Sequence, residues 1–220
     1  MYRACIFDLD GTLTDTLESL TYSVNATLRE LHLQEITQEQ CRCFVGNGAR
    51  YLIERAVQAG GDDKLTLVEQ AMEIYRRIFG ENCTYHVTPY SGITEMLKSL
   101  QQEGMKLAVL SNKPHEQTVD VVKEFFGEDI FDCVQGQMED VPRKPDPTGA
   151  KRIAEKLGCS EEECVYVGDS EVDVQTGHAA EMKTVGVSWG FRSREVLEES
   201  GAECIIDRPE ELIEVIRKDI

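Results

Sequence analysis

Short apolar runs alternate with amphipathic stretches over most of the chain. Residues 3–7 (RACIF) stop at Asp8, residues 106–110 (KLAVL) stop at Ser111-Asn112, and residues 164–167 (CVYV) stop at Gly168-Asp169. Residues 183–187 (KTVGV) and 203–206 (ECII) have the same form. Runs this short, apolar throughout rather than alternating, predict strands covered on both faces, and therefore a parallel sheet. Between them, helical spacing predicts helices over residues 93–103, 116–126, 148–157 and 210–218. Pro114 and Pro147 stand at helix starts, Gly104 and Gly158 at helix stops.

Residues 16–81 break this alternation. They contain no convincing strand and repeat apolar side chains at helical spacing, as in Leu17, Leu20, Val24, Leu28 and Leu31. Further helical patterns cover residues 38–45, 50–59 and 67–78, with Gly60-Gly61-Asp62-Asp63 as a turn between two of them. The expected architecture is a Rossmann-like α/β core, a parallel sheet with helices on both faces, made of residues 1–15 and 82–220. An all-α domain of residues 16–81 is inserted after its first strand. Two crossings, near Asp15 and Asn82, would let the insert hinge over the strand ends.

Composition narrows the partners. The 220 residues hold 23 Lys and Arg against 41 Asp and Glu, a formal charge of −18, which argues against nucleic acid or an anionic membrane surface as ligand. Hydrophobic residues at 41% exclude wholesale disorder. No apolar run reaches membrane-spanning length and the N-terminus does not read as a signal peptide, so a soluble, cytoplasmic protein is expected, as a monomer or homodimer. The eight cysteines are expected to be reduced and to serve as packing residues. Cys41-x-Cys43 lacks the second pair that a zinc site needs.

Four stretches carry candidate chemistry. Asp8-Leu9-Asp10-Gly11-Thr12 places two carboxylates at a strand end, where doubly wound sheets bind ligands, although Asp10-Gly11 is also a plain turn signal. Ser111-Asn112-Lys113-Pro114 offers a hydroxyl, an amide and backbone N–H groups as an anion cradle, or simply a helix start with Ser111 or Asn112 as cap. In Arg143-Lys144-Pro145-Asp146-Pro147 the prolines hold Lys144 on a stiff segment, aimed rather than free. A surface lysine before a helix capped by Asp146 is the plain alternative. Gly168-Asp169-Ser170-Glu171-Val172-Asp173 sets two carboxylates four residues apart, on one face of a first helical turn. Ser170 with Asp173 also fits a capping box. Each plain reading is respectable alone; four such stations in order are what an active site at a sheet edge requires.

With DLDGT, SNK, KPDP and GDSEVD in this order, the chain resembles the haloacid dehalogenase superfamily of aspartyl-phosphate enzymes. VGNG at residues 45–48, PYSG at residues 89–92 and VSWGF at residues 187–191 resemble its phosphoglycolate phosphatase branch. The resemblance implies a phosphatase acting on a small phosphorylated metabolite, with Asp8 as nucleophile, Asp10 as acid and base, and Lys144 beside them. It implies Mg²⁺ held by Asp8, the Asp10 carbonyl and Asp169, with Asp173 behind. Gly11, Thr12, Ser111, Asn112 and Lys144 would hold the phosphoryl group. From the cap, Gly46, Asn47 and Arg50 are candidate substrate contacts, Arg50 for a second anionic group. Charge counting adds its own argument. Four carboxylates and a phosphate dianion face one lysine, and each uncompensated like-charge pair at 4 Å costs about 4 kcal/mol at an effective dielectric near 20. A β-phosphoglucomutase-like mutase and a nucleotidase or pyrophosphatase share the stations. A phosphoacceptor receiver domain shares the acidic cluster but lacks the insertion.

Overall fold

A computed structural model describes residues 1–218. Six parallel strands form one sheet: β1 (Ala4–Phe7), β4 (Lys106–Pro114), β5 (Cys133–Gln137), β6 (Cys164–Gly168), β7 (Lys183–Val187) and β8 (Cys204–Ile206), in the order β5-β4-β1-β6-β7-β8. Two short strands, β2 (Thr14–Asp15) and β3 (Thr88–Pro89), pair antiparallel outside it. Five of the six strands are those the apolar runs predict. The sixth, β5, escapes the pattern because CVQGQ is barely apolar, as a strand at the sheet edge permits.

Side chains alternate across the sheet. Cys5 and Phe7 of β1 join Leu107, Val109, Val165 and Val167 in one core cluster; Ala4 and Ile6 join Ala108, Leu110, Cys164 and Tyr166 in the other. Helices α5 (Ile93–Gln102), α6 (His115–Phe126) and α10 (Glu211–Lys218) supply Leu97, Val121 and Leu212 to the first cluster, and α7 (Thr148–Leu157) supplies Ile153 to the second. A four-residue strand buried on both faces has no solvent side, which is why its sequence carries no polar alternation.

Residues 17–82 fold as four helices: α1 (Leu17–Glu30), α2 (Gln38–Phe44), α3 (Ala49–Ala59) and α4 (Val68–Asn82). Their packing follows the predicted periodicity, with Leu20, Val24 and Leu28 buried against Ile53, Ala56, Met72, Tyr75 and Phe79. The β2–β3 ribbon ties together the two chain passages into this helical block, at Asp15 and Thr88. Helices α8 (Glu171–Ala179) and α9 (Arg194–Glu199) complete the described elements. All eight cysteines are free thiols, but Cys43 is exposed, so the packing role expected of the full set does not extend to it. Among the described residues, no helix is long and apolar enough to cross a membrane.

Candidate active site

Register brings the stations together. Phe7 of β1 lies level with Val109 of β4 on one side and Val167 of β6 on the other. The residues that follow (Asp8, then Leu110-Ser111, then Gly168-Asp169) therefore lie side by side at the sheet's carboxyl edge, the place where such sheets bind ligands. Asp8 is anchored there by its N–H, which donates to the Val167 carbonyl at 2.9 Å.

Three carboxylates converge at this edge. Oxygens of Asp8, Asp169 and Asp173 lie within 4.8 Å of one another, and all three residues are buried. Lys144 Nζ stands between two of them, 2.9 Å from Asp8 Oδ1 and 2.7 Å from Asp173 Oδ1. Asp8 Oδ1 also accepts from the Leu9 N–H at 2.7 Å, which leaves its second oxygen for other work. Asp173 Oδ2 accepts from the Ser170 hydroxyl at 2.6 Å and the Ser170 N–H at 3.1 Å, so the capping box at the start of α8 and the acidic cluster are one structure.

The cluster's charge is unbalanced. Burial, then the nearby Asp173, pushes the Asp8 carboxyl from its ordinary 3.8 up to about 7, with Lys144 pulling the other way. Burial, then Asp173 and Asp8, holds Asp169 well above the carboxylate range. Lys144 keeps its proton: the two carboxylates outweigh its burial and raise it well above the ordinary lysine value. Three buried carboxylates with one buried cation between them are short of positive charge.

Asp169 is shaped by its neighbours. Its Oδ2 accepts from the Phe191 N–H at 2.7 Å, and its Oδ1 from the Thr12 hydroxyl at 3.3 Å. A Cβ on Gly11 or on Gly190 would overlap Asp169, and Gly11 in addition has a φ of 87°. Trp189 Nε1 donates to the Thr12 carbonyl at 3.0 Å, so the VSWGF segment clamps both Asp169 and the first loop.

The other expected residues divide. Ser111 and Asn112 lie inside β4, which runs extended to Pro114, so neither caps a helix. Ser111 Oγ accepts from the Lys113 N–H at 3.2 Å and lines the pocket. Asn112 spends its side chain on the backbone. It accepts from Lys144 N at 2.9 Å and donates to Lys144 O at 3.1 Å and to Gly46 O at 2.9 Å. It aims Lys144 and ties the helical block to the sheet, and these three bonds engage its side-chain amide. Thr12, likewise, holds Asp169 and is not among the pocket residues. Gly46 and Gly48 line the pocket; Asn47 does not, and its carbonyl accepts from Arg143 Nη1 at 3.2 Å. Arg50 is not in the wall of the acidic pocket but lines the adjoining cavity, which shares Ala49, Tyr75, Phe79, Asn112 and Pro114 with it. It pairs with Glu54 at 3.1 Å and with Glu69 on the surface of the block.

Two pocket cations were not singled out by the sequence. Lys113 has a side chain 1% exposed and its Nζ lies 2.6 Å from Asp10 Oδ1. Arg192 donates to the carbonyls of Arg42 and Val45 and pairs with Glu171 at 3.1 Å, joining the core to the end of α2. Lys113 had a signal, a lysine held between a strand and a proline, but lysines before helices are common.

The comparisons with known proteins agree with this geometry. A family model described as haloacid dehalogenase-like hydrolase matches residues 5–187. A phosphoglycolate phosphatase of Aquifex aeolicus is 31% identical over 218 residues, covering 99% of this chain and 98% of its own. One from Haemophilus influenzae is 32% identical, covering 96% of each. A solved structure from Lactobacillus delbrueckii subsp. bulgaricus, provisionally named a phosphoglycolate phosphatase, superposes with a TM-score of 0.91 at 34% identity over 98% of both chains. Four stations gathered at one sheet edge, a family model spanning most of the core and full-length relatives lead to one assignment: the chain belongs to the haloacid dehalogenase-like hydrolases.

Proposed function

We propose that this chain is a Mg²⁺-dependent phosphatase that hydrolyses a small phosphorylated metabolite, phosphoglycolate or a near relative, through an acyl phosphate on Asp8. The observation that carries the reading is the buried Asp8–Asp169–Asp173 cluster with Lys144 as its single cation. The names of the full-length relatives support the substrate.

The donor set fits a hard divalent ion. It is all oxygen, and its raised carboxyl pKa values mark missing positive charge. Asp8, Asp169 and the Asp10 main-chain carbonyl would hold the ion, while Asp173 stays with Lys144 and Ser170. When bound, Mg²⁺ supplies charge neutralisation and polarisation of the phosphoryl oxygens.

The remaining work falls to the chain's own side chains. The unpaired oxygen of Asp8 attacks phosphorus, forming one P–O bond as the ester P–O bond breaks, and Asp10 gives its proton to the departing alcohol. Asp10 then takes a proton from water as that water attacks the acyl phosphate and frees Asp8. Lys144 and the Ser111 hydroxyl steady the phosphoryl oxygens, and the backbone around Gly11 shapes the loop beneath them. The helical block of residues 16–81 acts as the cap that excludes water, with Gly46 and Gly48 at its closest approach and the β2–β3 ribbon as hinge. Arg50 receives no role in this scheme.

The cap's wall favours a short substrate. Leu52, Tyr75 and Phe79 line it, and a sugar would leave hydroxyls unpaired against them, at a cost of roughly 1–3 kcal/mol each. Phosphate release across a panel of metabolite esters, with and without Mg²⁺, tests the reading. Mg²⁺-dependent release from phosphoglycolate is expected; isomerisation of glucose 1-phosphate without phosphate release would replace it with the mutase reading.

The pKa shifts give a second test, on stability. A carboxyl whose pKa is raised on folding binds more protons in the native state, so metal-free stability falls as pH rises from about 4 through about 7. Mg²⁺ removes that cost only where the carboxylates are ionised. Thermal melts should therefore show a Mg²⁺-induced rise in Tm of about 5–10 °C at pH 8 and little at pH 5. Equal shifts at both pH values would count against metal binding at this cluster.

A further inference from the structure

Lys113 is the buried charge that the mechanism above leaves unused. Its ammonium opens on the pocket between sheet and cap, yet its side chain is 1% exposed and its ion pair is with Asp10 alone. An ammonium carries three donors. Asp10 takes one, and the Phe79 ring lies 5.0 Å away beneath the charge. The neighbouring cations are committed. Lys144 is held by Asp8 and Asp173, and Arg192 by Glu171 and two carbonyls of the cap. Placing a lysine in an apolar wall costs free energy unless a negative partner meets it.

The two buried lysines divide the pocket. Lys144 stands beside the phosphorus acceptor, Asp8; Lys113 stands beside Asp10, the residue that meets the leaving oxygen. Whatever group is bonded to the carbon next to that oxygen comes within reach of Lys113. Leu52 and Tyr75 line the same pocket and, with the Phe79 ring beneath the ammonium, offer an apolar surface to a short carbon chain.

We propose that Lys113 is the specificity residue of this enzyme, pairing with the carboxylate of a phosphorylated 2-hydroxy acid while keeping its hydrogen bond to Asp10. The assignment rests on the phosphatase reading and names what that reading leaves open, the group that selects the substrate. An ester whose leaving alcohol is uncharged gains nothing at Lys113.

The test compares kcat/KM for phosphoglycolate and for 2-hydroxyethyl phosphate, which has the same length without the charge, at saturating Mg²⁺. The wild-type protein should prefer phosphoglycolate by about 30-fold, the worth of one hydrogen bond to a charged group. In Lys113→Met both rates fall, because Asp10 loses its partner, but the preference collapses to near unity; in Lys113→Arg most of it remains. Lys113→Gln keeps a donor for Asp10 and gives the same readout should the methionine variant not fold. A preference that survives in both neutral variants overturns the assignment while leaving the phosphatase reading intact. Phosphatase activity without any wild-type preference overturns the carboxylate-bearing substrate itself, and the assignment with it.

Discussion

Replacing Asp8 by Asn should abolish phosphate release from every ester, by about 10⁵-fold or more in kcat, while making the metal-free protein more stable. The loss follows from the chemistry. An amide oxygen does not form the acyl phosphate, and removal of a covalent nucleophile costs about as much as removal of the whole catalytic group around it. The gain in stability follows from the electrostatics. Asp8 is a buried carboxylate pushed up to about 7 by burial and by Asp173, so at pH 7.5 the fold carries an ionised group it would sooner protonate. Asn keeps the shape, still accepts from Leu9 N–H, and leaves Lys144 paired with Asp173. The raised pKa is already net of the pull of Lys144; the expected rise is ~2 kcal/mol, about 5 °C in Tm, less than that shift converts to because the buried Asn amide also loses water on folding. Differential scanning calorimetry without metal and a phosphate-release assay with metal check the two halves. Retained turnover would rule out the covalent route; a lower Tm in metal-free buffer would mean that Lys144 more than balances the cluster.

The sequence makes the position of this site legible and most of its wiring illegible, for a physical reason. The central strands of a sheet covered on both faces carry short runs that are apolar throughout, and each run stops near the core's edge, so Asp8, Ser111 and Asp169 fall at one edge without any knowledge of contacts. Periodicity likewise exposes the four helices of the insert, because each buries one stripe. Nothing local says what Asn112 does. Its three hydrogen bonds reach Lys144, 32 positions later, and Gly46, 66 positions earlier, and only the folded chain brings these together. Arg50, too, is placed only by the folded chain: it pairs with Glu54 and Glu69 and lines a cavity that shares Tyr75, Phe79 and Asn112 with the acidic pocket. Lys113 and Arg192 look like ordinary solvated cations until burial and partners are known. Strand β5 escapes because an edge strand such as CVQGQ needs little apolar character.

These particulars share one theme, a shortage of positive charge at the sheet edge that the fold maintains by placement. The absence of side chains at Gly11 and Gly190 lets the Asp169 carboxylate sit beside Asp8 and Asp173, since a Cβ at either position would overlap it. The Phe191 N–H and the Thr12 hydroxyl hold it in place, and Ser170 holds Asp173. A cluster of this kind is held together by its frame rather than by its own interactions. It suits a ligand that brings positive charge.

Lys144→Met is the sharpest test of that account, because it removes the single cation from among three carboxylates while keeping the length of the side chain. Breaking a buried ion pair by deleting one partner costs about 3–5 kcal/mol, since the remaining charges stay buried and unpaired. Here Asp8 and Asp173 both lose Lys144, at 2.9 and 2.7 Å. The sign with pH is opposite to that of an ordinary acid-labile protein. Without the pull of Lys144 the Asp8 carboxyl titrates still higher, so the variant should be most stable near pH 5, where Asp8 is protonated, and should lose stability as pH rises through 7. A divalent ion should recover part of that loss at pH 8 and almost none at pH 5, because it meets the same charges. Activity should fall by about 10³-fold or more even in the rescued protein, as Mg²⁺ does not replace the ammonium that steadies Asp8 and the phosphoryl oxygens. Melts of Lys144→Met across pH, with and without Mg²⁺, give the result directly. A variant equally stable at pH 5 and pH 8 would show that Lys144 is a packing residue, and that the carboxylates at this edge do not crowd one another.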